Sequence, residues 1–94
     1  KLLVLTDESV KNPCLTSSQN MAVMMWEQNA TNTDKKQLVF TKISGDKVSE
    51  NISVDGSINA TNATALILGD RLLIANEVKE ENKKNSLKIS VVSL

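Results

Sequence analysis

The apolar residues of this chain fall into short segments that are rich in β-branched side chains and are separated by polar turns. This pattern is typical of strands, since a helix would need a longer apolar stripe. The charged segment 77–88 contains good helix formers but no apolar stripe, so we interpret it as a loop, with a helix as the alternative. The sequence therefore predicts an all-β fold with strands at residues 2–6, 14–18, 21–28, 37–44, 47–54, 64–68, 71–78 and 86–94.

Two pairs of neighbouring strands are separated by very short polar connections. Gly69-Asp70 lies between segments 64–68 and 71–78, and Gln19-Asn20 lies between segments 14–18 and 21–28. Gly and Asn accept positive φ at little cost, which two-residue hairpin turns often require. The sequence predicts a tight hairpin at each place.

These hairpins belong to two longer segments, 12–44 and 62–93, that align with each other. Each has an Asn, a short strand, a tight turn, an apolar strand ending near a Glu (Glu27 or Glu77), a polar loop and a third strand. The offset is 50 residues at the hairpin and 49 at the third strand. We interpret residues 1–94 as one all-β module of two antiparallel, blade-like, four-stranded repeats. The alternative is an eight-stranded β-sandwich whose halves are similar by accident.

The first repeat also carries a family resemblance. "AVMMWEQ" (22–28) and "VFTKISGDKVSENISV" (39–54) resemble the blades of extracellular β-propellers with sialidase-type, Asp-box-like repeats. Ser44-Gly45-Asp46-Lys47 keeps part of the Asp-box, and the second repeat has Asn76 where the first has Trp26. The resemblance implies propeller-type blades. Sialidase-like enzymes of this family use an arginine cluster, a tyrosine nucleophile and an acid, which cannot be carried over to a chain with one arginine and no tyrosine.

Composition excludes several classes of function. The 11 basic and 11 acidic side chains balance, which argues against nucleic-acid binding, and no apolar run approaches the roughly 20 residues of a membrane-spanning helix. Histidine is absent, and neither a calcium-loop spacing nor a glycine-rich phosphate loop is present. We expect no catalytic, cofactor-binding or metal site. We expect the single Cys14 and Trp26 to be core residues, a reactive or bridging thiol and a sugar-stacking ring being the respective alternatives.

Four Asn-x-Ser/Thr sequons remain as candidate modification sites, at Asn29, Asn51, Asn59 and Asn62. The alternative is that these are turn residues without a sugar. Asn59 and Asn62 lie in the connection between the two repeats, where sugars would shield sheet edges that could otherwise pair promiscuously. The sequence predicts covalent N-glycans, and hence an extracellular or cell-surface location.

Two blades do not close a propeller, which needs about four to eight. We therefore expect a non-enzymatic, glycosylated β-module that works by assembly, as a subunit of a cell-surface structure, fibre or oligomer. Its partners would be copies of itself or neighbouring repeats, bound through edge strands such as segments 1–6 and 86–94. The alternatives are a fragment of a larger propeller hydrolase or lectin, and an intracellular scaffold repeat. The repeat begins in mid-phase, so we expect residue 1 not to be the natural start.

Overall fold

A computed structural model describes Val4 and residues 6–94 of the chain, and its regular elements are all antiparallel strands. The all-β prediction is confirmed, and the charged segment after the seventh strand is a loop. The strands are β1 (Lys11–Ser17), β2 (Ala22–Asn29), β3 (Lys36–Ser44), β4 (Lys47–Val48), β5 (Ile52–Ser53), β6 (Ala60–Leu68), β7 (Arg71–Val78) and β8 (Ser86–Ser93). Most of the predicted first strand, residues 2–6, lies outside the described residues.

The described strands form two sheets of unequal size. The first has the order β1-β2-β3-β4, with β5 also paired to β3, and the second has the order β6-β7-β8. The predicted strand 47–54 is split into β4 and β5, so the first sheet has five strands rather than four. The second sheet has three strands within the described residues. Ser49 provides the physical reason for the split. Its hydroxyl accepts the Lys42 N–H at 2.9 Å and donates to the carbonyl of Glu50 at 2.9 Å, which bends the chain between the two short strands.

Both predicted hairpins are present. Gly69 has φ +63° in the two-residue turn between Leu68 and Arg71, a conformation that glycine adopts without strain. The turn at Gln19 and Asn20 is closed by a hydrogen bond of 2.8 Å from the Ser18 N–H to the Met21 carbonyl. Asn20 is not among the residues with positive φ, so this second turn does not use the property for which asparagine was singled out.

One apolar core lies between the two sheets. β6 approaches β1, β2 and β3, and equivalent first strands of the two sheets, β1 and β6, contact each other. The buried cluster joins side chains of the first sheet and its β5 extension to side chains of the second: Val23, Met25, Leu38, Phe40 and Val54 with Ala60, Ile67, Leu72 and Ile74. Half-buried Cys14 packs against this cluster, as expected for a core residue. Trp26 is buried as expected, but on the opposite face of the first sheet from Met25 and Phe40.

Candidate functional site

The same local backbone geometry occurs twice, 50 residues apart. The pairing register shifts between Lys11 and Cys14 in β1 and between Thr61 and Thr64 in β6. Each bulge contains an asparagine with positive φ, 54° at Asn12 and 51° at Asn62. Asparagine tolerates this left-handed conformation better than most residues, which explains why it stands at both bulges.

Each bulge asparagine donates a hydrogen bond to the glutamate of the neighbouring strand. The Asn12 Nδ2 lies 2.8 Å from the Glu27 Oε2, and the Asn62 Nδ2 lies 2.6 Å from the Glu77 Oε2. A carboxylate is a strong acceptor, so these bonds hold the bulge against the centre of its sheet. The two asparagine–glutamate pairs are equivalent in sequence and in geometry.

The surroundings of the two glutamates differ. Glu27 is 1% exposed because the second sheet covers it. Its Oε2 also accepts the main-chain N–H of Asn62 at 3.1 Å, and the Thr61 hydroxyl lies 3.4 and 3.3 Å from its two carboxylate oxygens. All these donors are uncharged groups. A buried carboxylate needs such partners, so Glu27 ties the bulge of β6 to the first sheet.

Glu77 lies at an open surface. It is half-buried, and it borders a shallow depression lined by Asn62, Thr64, Ala75, Leu87 and Ile89. Asn62 thus contacts both carboxylates, donating to Glu27 through its main chain and to Glu77 through its side chain. The depression is the counterpart of the place that β6 fills beside Glu27.

The face of the second sheet beyond this depression is apolar. Leu87, Ile89 and Val91 alternate along β8 and are 85%, 76% and 59% exposed. They face the same side as Leu73 and Ala75 of β7, to which Val91 and Ile89 are paired, and Leu66 of β6 lies opposite Leu73. We call this surface, formed by Leu66, Leu73, Ala75, Leu87, Ile89 and Val91 with Glu77 at its end, the open face.

The equivalent face of the first sheet is covered. Leu38 and Phe40 occupy the places of Leu87 and Ile89, and Val23 and Met25 occupy those of Leu73 and Ala75. All four are buried in the shared core. The two sheets therefore stack with the same face pointing in the same direction. This face is buried in the first sheet and exposed to solvent in the second.

The four sequon asparagines differ in exposure and in hydrogen bonding. Asn51 is exposed just before β5, while Asn59 is a half-buried turn residue with φ +68°. Asn29 is half-buried at the end of β2, where its Oδ1 is buried without a hydrogen-bond partner. Asn62 is exposed in the bulge of β6, but its Nδ2, the atom that would carry a sugar, is bonded to Glu77. Glycosylation at these positions stays a prediction.

Two exposed carboxylates have lowered pKa values. Hydrogen bonds from the hydroxyl and N–H of Ser9 lower the pKa of Asp7, whose turn precedes β1. A hydrogen bond and ion pair with Lys83, at 2.8 Å, lower the pKa of Glu80 in the loop before β8. These interactions stabilise the charged form of each carboxylate. Their small contribution to the stability of the fold is therefore lost as the pH falls through the lowered pKa.

Metal-ligating side chains are not brought together within Val4 and residues 6–94, where no three cysteine or carboxylate groups are placed as they would be around one ion. Cys14 has a free thiol and is half-buried. In the same part of the chain, no helix has the length and apolar character needed to cross a membrane.

Sequence reasoning missed the junction formed by Asn12, Glu27, Thr61 and Asn62. It recognised Asn12 and Asn62 as repeat starts and Glu27 and Glu77 as strand ends, but it did not pair them. The signal was available, because both residues of each pair recur at the same offset of 50. The asymmetric burial of Glu27 and Glu77 could not be found in this way.

The chain was compared with known protein families, curated proteins and solved structures. No family model, curated protein or solved structure matches the chain.

Proposed function

We propose that this chain is a non-enzymatic, extracellular, glycosylated β-module that works by assembly, as a subunit of a cell-surface structure, fibre or oligomer. The observation that carries this proposal is the open face, where three large apolar side chains of one strand are more than half exposed. Contiguous exposed apolar surface of this kind marks interaction sites. The equivalent face of the first sheet is covered by the second sheet, which supports a β-sheet of the same kind as the partner of the open face.

Edge strands add a second possible contact. Within the described residues, β8 is hydrogen-bonded to β7 along one side only. A free edge can pair with a strand from another chain. Strand donation by residues 1–6 remains part of the proposal, although most of that segment lies outside the described residues.

Sedimentation velocity on the native protein tests the assembly. We expect the sedimentation coefficient to rise with protein concentration, because association through an apolar surface follows mass action. Repeating the run with a reducing agent excludes association through a disulfide between the Cys14 residues of two chains. A single sedimenting species at the mass of one chain, at every concentration that the protein tolerates, would contradict the proposal.

The glycan part of the proposal has its own test. We expect the intact mass of the native protein to fall when N-glycans are removed. Peptide mapping should find sugar at Asn51, which is exposed and lies outside the junction, and determines whether Asn29, Asn59 and Asn62 also carry sugar. An intact mass that this treatment leaves unchanged would exclude glycans and favour an intracellular scaffold repeat.

The repeated geometry also favours a second candidate, a segment of a larger propeller hydrolase or lectin. The contact between the equivalent first strands of the two sheets, β1 and β6, fits a radial array of blades. The burial of Trp26 leaves no exposed aromatic ring on which a sugar could stack in the described part of this chain. A deglycosylated native mass far above 10.3 kDa would favour this candidate.

A further inference from the structure

We propose that the open face binds the first sheet of a second copy of this chain, in the orientation in which the first sheet already holds the second. In that contact Glu77 accepts hydrogen bonds from the second copy, as Glu27 accepts them from the bulge of β6. The inference rests on the proposed assembly function and names the surfaces that carry it. The contact is face-to-face packing, and it is separate from the edge-strand pairing of the proposed function.

The open face has the same arrangement of residues as the face of the first sheet that holds the second sheet at the junction. Met25 lies opposite Phe40 and Glu27 opposite Leu38 in the first sheet. Ala75 lies opposite Ile89 and Glu77 opposite Leu87 in the second. The acceptor and its apolar neighbours therefore have the same arrangement twice, and among the described residues only the first set is covered by another sheet. An apolar face of this pattern gains free energy when it is covered.

The matching surface of the second copy is β1. This strand has the bulge that β6 uses at the junction, with Asn12 at nearly the same φ as Asn62. Asn12 is exposed, and Leu15, three residues further along, is 70% exposed. The Asn12 main-chain N–H would donate to Glu77 as the Asn62 N–H donates to Glu27.

The large and small side chains change places between the junction within one chain and the proposed contact between two chains. At the junction the larger Met25 belongs to the receptor face, and the small Ala65 of β6 packs against the core. On the open face Ala75 replaces Met25, and Leu15 of β1 is the counterpart of Ala65. A large residue facing a small one conserves the packed volume, and the Ala75 depression provides room for Leu15.

This contact joins two different surfaces of the same chain. Such heterologous contacts either close into rings or extend into filaments. A sugar on Asn62 would lie in the same depression, because the Asn62 side chain lines it. Glycosylation of Asn62 and docking at the open face therefore exclude each other.

Two charged substitutions test the contact by complementation. Ile89→Asp blocks the open face and Leu15→Asp blocks β1, and each change is at an exposed side chain. We expect each variant to sediment as a single chain, and we expect an equal mixture to form a dimer and nothing larger, because one intact copy of each surface remains. Ile58→Asp, at an exposed turn residue away from both surfaces, is the control and should assemble like the wild type.

A milder change covers the case in which a charged variant fails to fold. Glu77→Gln keeps the side-chain shape and should weaken association about tenfold, because a charged acceptor is lost. Circular dichroism establishes that each variant is folded. Wild-type assembly by the folded Ile89→Asp variant, or no dimer in the mixture, would overturn this inference and leave the assembly function standing. A wild-type chain that stays single, with or without sugar on Asn62, would overturn both.

Discussion

Replacing Phe40 with alanine lowers the free energy of unfolding by about 3–5 kcal/mol. The ring is 1% exposed and lies in the core that joins the two sheets, opposite Met25. Its removal loses the transfer free energy of a large apolar side chain and leaves a cavity that a two-sheet core cannot fully close. A domain of this size has a total stability of roughly 5–14 kcal/mol, so the variant should be close to unfolding.

Urea denaturation followed by tryptophan fluorescence measures this loss. Trp26 is the single tryptophan and is buried in β2, on the opposite face of the first sheet from Phe40, so its emission reports on the unfolding of that sheet. The midpoint should fall while the slope with denaturant stays the same, as in a cooperative transition.

Ile89→Ala is the matched control, because Ile89 occupies in the second sheet the place of Phe40 in the first. It is 76% exposed, so its truncation should change the free energy of unfolding by less than about 0.5 kcal/mol in dilute solution. Equal losses for the two variants would show that the open face is covered even in the single chain. That result would contradict the packing described here.

Replacing Glu27 with alanine lowers the free energy of unfolding by about 2–4 kcal/mol. The change leaves the Asn12 amide, the Thr61 hydroxyl and the Asn62 N–H without their shared acceptor at the junction. Hydrogen bonds to a charged acceptor contribute more than bonds between neutral groups, and truncation of the buried Glu27 side chain also leaves a cavity between the sheets. The same urea titration measures the effect.

Glu77→Ala is the control for this second prediction. Glu77 receives the equivalent asparagine bond but is half-buried, so water can replace the lost acceptor for Asn62. The expected loss is below about 1 kcal/mol, measured at a concentration where the chain does not associate. If Glu77→Ala proved as destabilising as Glu27→Ala, the stabilisation would come from each bulge alone rather than from the contact between the sheets.

Local pattern was enough to predict most of the strands. The β-branched segments, the glycine in the Gly69-Asp70 turn and the polar loops follow from preferences of neighbouring residues. The prediction was wrong for segment 47–54, where the Ser49 hydroxyl bonds to the backbone of β3 and divides the strand. Such a bond joins residues of different strands, so periodicity along one segment does not reveal it.

The functional site divides in the same way. The sequence by itself determined that Asn12 and Asn62 begin equivalent hairpins and that Glu27 and Glu77 stand at equivalent strand ends, because these relations are periodic along the chain. Only the tertiary structure decided that Glu27 is buried and Glu77 open. The two glutamates have similar neighbours within their own sheets, and the difference arises because a second sheet covers one face and not the other. Burial depends on what packs against a face, and that partner can lie far away in the chain or in another molecule.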